Sequence, residues 1–510
     1  MKNERTEVLV VGGGPTGLFA SILLSQQGVS HVLVESRSGA QPAPAAHVIN
    51  TRTMEMFRQA GLDMEALYRL DKHKAARYVS WVKGLSDSAL GKFDLDSEMA
   101  QEVRGAVSQD SIINISQTLI EEFLLKNARE LAPDKNSIRY NSQWNGFVDE
   151  NTHVSEIISS SGEIHHIEAD YVLAADGAGS PIARALGINK VGPKTVATFL
   201  NLSCRVDMTR VAKEKDSLLY WVVDPEDPAV CIVHDPKKLT VVMRPIHTPF
   251  ETAEDFDDDR CDQWLRKLFG PEIPFEVFYK GVWNMSAQVA EKFREKNVFL
   301  IGDSAHRFPP TGGLGLNSGV ADAHNLVWKI IACRNGENSE FLDSYEEERR
   351  SVIQRNCDLS LNNHFRMDDV IREIGLNPDK ANYLPRVMNS DVVKRLPVRL
   401  KEIVKGALLK PAHKAISLVQ EPGEKGVARR RKIQLSIEEQ ADHFFMPGME
   451  LGYIYGSGTA VGGGAVHAPD NEVSCYTPTT FPGARLPHVW VGSGKKKFSL
   501  LDLFDYGLYT

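Results

Sequence analysis

Val8-Leu9-Val10-Val11-Gly12-Gly13-Gly14-Pro15-Thr16-Gly17, continued by an apolar-periodic stretch over 18–24 and by His31-Val32-Leu33-Val34-Glu35, decides the fold of this chain. Two apolar runs flank a glycine turn, and an acid closes the second run. The order predicts strand, turn, helix, strand, acid. Gly12 permits the tight turn, Gly14 lets the backbone approach a pyrophosphate, and Gly17 lets helix and strand pack closely. The N-terminus of the helix carries partial positive charge toward phosphates, and Glu35 can accept ribose hydroxyls. Pro15, Thr16 and Arg37 join the same set of predicted cofactor contacts. The competing reading of the glycines is an ordinary tight turn in an α/β domain.

Composition narrows the class. With 510 residues, 42% hydrophobic and 25% charged, the chain reads as a globular protein of two or three domains. A net charge of -8 argues against nucleic acid as the main partner. The basic runs Arg429-Arg430-Arg431-Lys432 and Lys495-Lys496-Lys497 read as solvated faces. The six cysteines are scattered without a CxxC pair, so neither a disulfide framework nor a zinc site is expected. No apolar run reaches the roughly 18 residues a membrane span needs, and charged Lys2, Glu4 and Arg5 open the chain. The expectation is a cytoplasmic protein without membrane, nucleic-acid or metal partners. A homodimer is an admissible assembly.

Helices are expected over 52–60, ended by Gly61, and over 117–132, 321–332 and 345–374. Buried strands are expected at Tyr171-Val172-Leu173-Ala174-Ala175 and Val298-Phe299-Leu300-Ile301. Between about 197 and 290, β-rich runs alternate with Asp/Pro turns, which predicts an inserted antiparallel sheet. A Pro/Ala-rich loop covers 41–46, residues 423–437 read as a charged linker, and Gly, Tyr and Pro dominate past 440.

Two further segments point to the dinucleotide. Asp176-Gly177-Ala178-Gly179-Ser180 ends a strand, and Gly302-Asp303-Ser304-Ala305-His306-Arg307-Phe308-Pro309-Pro310 leads into Gly312-Gly313-Leu314-Gly315-Leu316-Asn317. An acid at the carboxyl end of a buried strand can bind a polyol such as a ribityl chain. The glycines after it open a helix whose N–H groups and dipole suit the negative charge near N1 and O2 of a reduced flavin. Either segment alone could be a plain strand-to-helix turn. No GxSxG elbow, HExxH, P-loop or WxWxIP segment is present.

Together these motifs resemble the single-component (class A) FAD-dependent aromatic hydroxylases. The similarity is strongest to the branch of 2,4-dichlorophenol, 3-(3-hydroxyphenyl)propionate and phenol hydroxylases. Ala46-His47-Val48-Ile49-Asn50-Thr51-Arg52-Thr53-Met54-Glu55, Leu219-Tyr220-Trp221-Val222 and Pro482-Gly483-Ala484-Arg485 through Trp490 add to the resemblance. It implies an α/β (α+β overall) fold: a Rossmann-like FAD-binding domain over 1–75, 105–190 and 291–375, with a substrate-binding β-sheet domain over 76–104 and 191–290. A helical region and linker over 376–440 and a C-terminal segment over 441–510 would follow. The latter resembles the opening of a thioredoxin-like domain, and a full third domain is not expected from it.

The resemblance also implies FAD, transient NADH or NADPH, dioxygen and a phenolic substrate, hydroxylated through a flavin C4a-hydroperoxide. By position, Gly12, Gly14, Gly17 and Glu35 would hold the ADP half of FAD, Gln117 the flavin side and Asp303 the ribityl chain. Pro310, Gly313 and Leu314, with Gly315, Leu316 and Asn317, would line the ring. Asp176 and Gly177 would serve FAD and NAD(P)H. His47 would accept the phenol proton, and a histidine that only bonds backbone is its bland counterpart. Tyr220 is a second catalytic candidate, and Trp221, Asn114 and Pro309 are substrate candidates; a core aromatic pair is the equal alternative for Tyr220 and Trp221. His306 and Arg307 read as structural. Ala45 stands where many relatives have an arginine against FAD. The rival functions are a Baeyer–Villiger or epoxidising oxygenase on a polyketide-like ring, and an FAD-binding protein without catalysis.

Overall fold

The computed structural model describes residues 2–43, 45–131, 136–149, 154–456, 469, 471–493 and 496–504. Pro44, residue 132, Lys495 and residues 505–510, which enter the expectations above, lie outside the described residues.

The opening strand Lys2–Val11 is central in an eight-stranded sheet. It pairs in parallel with Ile164–Ala174 on one side and His31–Val34 on the other. Val298–Leu300 and Asn136–Arg139 extend the parallel core outward, and antiparallel strands finish it. Strands buried on both faces need continuous apolar runs, and Val8, Leu9 and Val10 are fully buried. Helix Pro15–Gln26 packs Leu18, Phe19, Ile22 and Leu23 onto the same core.

A seven-stranded sheet forms from Phe275–Met285, Ala197–Val206, Leu239–Ile246, Ala229–Asp235, Ser217–Val222, Tyr78–Val82 and Gly91–Asp94, in that order. Its two faces differ, as strand periodicity demands. One face carries Leu200, Leu202, Tyr220, Val222, Cys231, Val233 and Val242, sealed by Trp264, Leu265 and Phe269 of helix Asp258–Phe269. The other face reads across the strands as Asn201, Met243, Val230, Trp221 and Trp81, in register.

The helices Thr51–Gln59, Gln117–Glu130 and Ser344–Ile374 fall where periodicity predicts them. Helix Leu314–Arg334 starts nearly two turns before the expected 321, directly after Gly313, whose backbone sits in the left-handed region (φ +62°). The expected linker at 423–437 is corrected: Glu424–Glu438 is a helix. Its charges cover one side, while Ile433 and Ile437, four apart, bury against Trp81, Met367 and Val370. Gln434 on this helix exchanges two hydrogen bonds with the backbone of Lys92, at 3.1 and 2.9 Å, and so satisfies the edge strand Gly91–Asp94.

Candidate active site

The three glycine-acid segments, remote in sequence, converge on the N-terminus of helix Pro15–Gln26. Gly12 has φ +113° and donates to the Val34 carbonyl at 2.8 Å; a Cβ there would lie 2.1 Å from the Ala175 carbonyl oxygen. A Cβ on Gly17 would lie 2.0 Å from the Gly12 oxygen. Gly302 packs on Thr16, whose Oγ1 would sit 2.8 Å from a Cβ at that glycine. So the Asp176 turn abuts Gly12 and the Asp303 turn abuts Thr16.

Open space is left at Gly14 among these turns. A Cβ on Gly14 would meet nothing within 4 Å, although its neighbours Gly12 and Gly17 are hemmed in. The helix beginning there has no side-chain cap and no acid in its first turn, so its N–H groups are open to an anion. Helix Leu314–Arg334 starts the same way, uncapped and without an acid. Asp176 accepts from the Ile182 N–H through Oδ2 at 3.0 Å, while its buried Oδ1 has no partner among the described residues. Burial pushes this carboxyl up. An unsatisfied buried oxygen of this kind suits a ribose or ribityl hydroxyl donor. The residues present therefore fit FAD.

Glu35 accepts from the Gly13 N–H at 2.6 Å, the Arg37 N–H at 2.8 Å and Arg37 Nε at 3.0 Å. Burial alone would raise its pKa, but these hydrogen bonds and the Arg37 charge outweigh it and hold the carboxyl below its usual range. Arg37 is thereby locked to Glu35 and also reaches Gln41 at 2.9 Å. Gln117 accepts from the Ala46 N–H at 3.2 Å and donates to Glu121 at 2.8 Å, holding the loop ahead of His47. Ala45 is exposed in that loop.

Asp303 and Pro310 are exposed, Pro309 is buried, and Leu314 packs against Met446 and Met449. Gly177 (φ +81°) and Gly315 have open space where a side chain would go, and Leu316 is half-buried. Asn317 accepts from the Asn50 N–H at 3.0 Å and donates to the carbonyls of Val48 at 3.0 Å and Gly313 at 2.6 Å. Its side chain thus ties the loop after His47 to the start of the helix.

His47 and Asn114 come together: Nδ1 of His47 lies 2.7 Å from Oδ1 of Asn114. Their segments pair directly, Val48 opposite Asn114. The amide oxygen only accepts, so the imidazole proton resides on Nδ1 and the Nε2 lone pair is the acceptor. Burial lowers the His47 pKa, and the Asn114 hydrogen bond offsets this in part. From the other sheet, His234 meets His47 edge-on, with ring centroids 5.4 Å apart and an interplanar angle of 86°. Burial, with the nearby His47, drives His234 well below the usual histidine range. Two polar atoms at this junction, Nδ1 of His234 and Nδ2 of Asn114, are buried without partners among the described residues. By strand alternation, half-buried Leu219, Trp221, Val230 and Ile232 share the sheet face of His234, and Leu219 and Trp221 also pack against the core around Trp81.

Tyr220 and Trp221, expected together, are separated by strand alternation. Tyr220 is turned away from His47 into the apolar layer beneath helix Asp258–Phe269, where its hydroxyl donates to the Glu214 carbonyl and burial pushes its phenol pKa up. This corrects its expected catalytic place. Tyr220→Phe should lower stability by about 1 kcal/mol, the value of one such hydrogen bond, and leave turnover within error of wild type. A urea midpoint and a steady-state assay check both halves. Trp221 lies on the half-buried face, stacked on Trp81 at 6.5 Å and 10°.

Sequence reasoning missed His234, although it falls two residues beyond Ile232 in an alternating strand. It also missed the buried group around Asp322, which accepts from Arg349 at 2.8 Å and the Gly302 N–H at 3.0 Å and bonds His306 at 2.6 Å. These bonds fasten the Asp303 turn to helix Leu314–Arg334. Arg485 likewise donates to Glu55 at 2.7 Å and the Val107 carbonyl at 2.9 Å, anchoring the C-terminal segment beside helix Thr51–Gln59.

Residues 5–360 match the family model described as an FAD binding domain. The chain belongs to this family and is a class A FAD-dependent monooxygenase of the aromatic and polyketide hydroxylase group. It is 28% identical over 530 residues to the tetracenomycin A2 monooxygenase-dioxygenase of Streptomyces glaucescens, covering 99% of this chain and 81% of the relative. It is 27% identical over 530 residues to the 2,4-dichlorophenol 6-monooxygenase of Cupriavidus pinatubonensis, covering 99% and 82%. The crystal structure of the flavin-dependent monooxygenase PieE with FAD and substrate superposes with a TM-score of 0.85 at 25% identity, covering 99% of this chain and 84% of that one. Its cofactor is FAD. Among the described residues no helix is long and apolar enough to cross a membrane.

Proposed function

We propose that this enzyme hydroxylates a phenolic ring, with NADH or NADPH as electron donor and dioxygen as co-substrate, and that His47 takes the phenolic proton. The observation that carries this reading is the pair of His47 and Asn114, faced by His234 and approached along an apolar wall. Asn114 fixes the tautomer of His47 and leaves Nε2 as the base. Burial keeps the imidazole neutral near pH 7, so it is ready to accept. Removing the proton makes the ring electron-rich, which attack on an electrophilic oxygen requires. Leu219, Trp221, Val230 and Ile232 exclude water and offer apolar surface to an aromatic ligand.

Gly14 and the two helix N-termini would hold the phosphates and the flavin edge of FAD, with Glu35 on the ribose and Asp303 on the ribityl chain. Bound and reduced, FAD supplies the activation of dioxygen. The protein's share is to bind, orient, dry and deprotonate.

A bound phenol reports its own ionisation by ultraviolet difference spectroscopy. The apparent pKa of the bound phenol, read from its phenolate band across pH, should be lower in wild type than in His47→Ala, against a solution value of about 10. Equal apparent pKa values for the phenol bound to the two proteins would contradict the base assignment.

A further inference from the structure

Lys190 was not singled out by any motif, yet it stands where two cofactor turns meet. It begins the short strand Lys190–Val191, which pairs with Gln288–Ala290, itself paired with His306–Arg307. Its Nζ donates to the Asp303 carbonyl at 2.6 Å and to the Ala178 carbonyl at 3.2 Å. One ammonium thus bridges the turn after strand Ile164–Ala174 and the turn after strand Val298–Leu300. The second of these turns adjoins Thr16 at the helix N-terminus through Gly302.

We propose that Lys190 is a positioning residue of the FAD groove: its ammonium clamps the Asp176 and Asp303 turns together, and the bound anionic dinucleotide in return stabilises that ammonium. The charged groups facing it are Asp303 and Asp176 from the two turns and Arg307 from the adjoining strand. Burial, with the Arg307 charge, lowers its pKa to about 8 against the pull of the two acids. A dianionic pyrophosphate entering the groove favours the charged form. FAD binding is therefore coupled to proton uptake at Lys190 in alkaline solution. By linkage, affinity is full below about pH 8 and falls above it, toward a limit of one decade per pH unit.

The test is an FAD fluorescence-quenching titration of apoprotein at pH 7, 8 and 9, in wild type, Lys190→Met and Lys190→Arg. It needs no substrate, so it stands apart from the phenol-hydroxylase reading. Wild-type Kd should rise several-fold between pH 8 and 9. Lys190→Met should bind about tenfold more weakly at pH 7, one charge-assisted contact's worth, with no pH slope. Lys190→Arg, charged throughout, should keep its affinity at pH 9. A slope in Lys190→Met equal to that of wild type overturns the proposal. So does an unchanged FAD Kd accompanied by a raised KM for NADH or NADPH, which would assign the charge to the nicotinamide cofactor instead.

Discussion

Gly14→Val is expected to yield a folded protein that has lost its FAD. The backbone at Gly14 is extended (φ -76°), and a Cβ there would meet no atom beyond its chain neighbours within 4 Å, so the fold should tolerate the change. The added methyls instead fill the space above the uncapped helix N-terminus where, on this reading, the pyrophosphate would sit. Loss of two charge-assisted hydrogen bonds from backbone N–H to phosphate is worth about 3 kcal/mol, so FAD affinity should fall at least ~100-fold. Gly12→Ala is the contrast. A Cβ at Gly12 lies 2.1 Å from the Ala175 carbonyl oxygen at φ +113°, so this variant should be destabilised whether or not FAD is present. Thermal unfolding of the apoproteins and FAD titration separate the two effects. A yellow Gly14→Val protein with wild-type Kd would show that the open space is not the phosphate site.

His47→Ala carries the second large effect. General-base catalysis is worth roughly 100- to 10,000-fold, and kcat for hydroxylation should fall by about 100- to 1,000-fold at pH 7. The sign of the pH dependence follows from the protonation states. Because the folded pKa of His47 lies below its ordinary value, wild type holds the neutral base at and above pH 6.5. The variant instead depends on phenol already ionised in solution. Its deficit should therefore shrink by up to tenfold per pH unit as pH climbs toward the phenol pKa of about 10. FAD content should stay at wild-type level, since His47 is not among the groups assigned to the cofactor. A deficit that does not change with pH would return His47 to a structural role. Asn114→Ala should weaken the same step less, by freeing the tautomer of a base that is still present.

The nucleotide half of this molecule was legible because its constraints are local. Gly17 answers to a packing contact with Gly12 five residues away, Gly12 takes the positive φ of the turn itself, and buried parallel strands write themselves as unbroken apolar runs. The pairing of His47 with Asn114 was not local: it depends on a two-residue bridge between Val48 and Asn114 that no periodicity announces. Tyr220 and Trp221 show the opposite failure. Aromatic character placed both in the pocket, but period-two alternation allows only one of them to face it, and which one depends on where helix Asp258–Phe269 seals the sheet. The charge-rich stretch 423–437 hid a helix because its buried side is narrow, little more than Ile433 and Ile437. The contacts of Lys190 and His234 exist only once the turns and sheets are assembled.

The most direct test of the central claim is NADH and NADPH oxidation by the FAD-loaded enzyme, with and without a panel of phenols from single rings to fused polycyclic ones, followed by the mass of the product. Oxidation should be stimulated by a phenol and the product should gain one oxygen atom with its ring intact, and the gain should disappear in His47→Ala at pH 7. An opened or expanded ring would mean that oxygen is inserted into a carbon–carbon bond. No stimulation by any phenol would contradict the assignment of His47 as a phenol base.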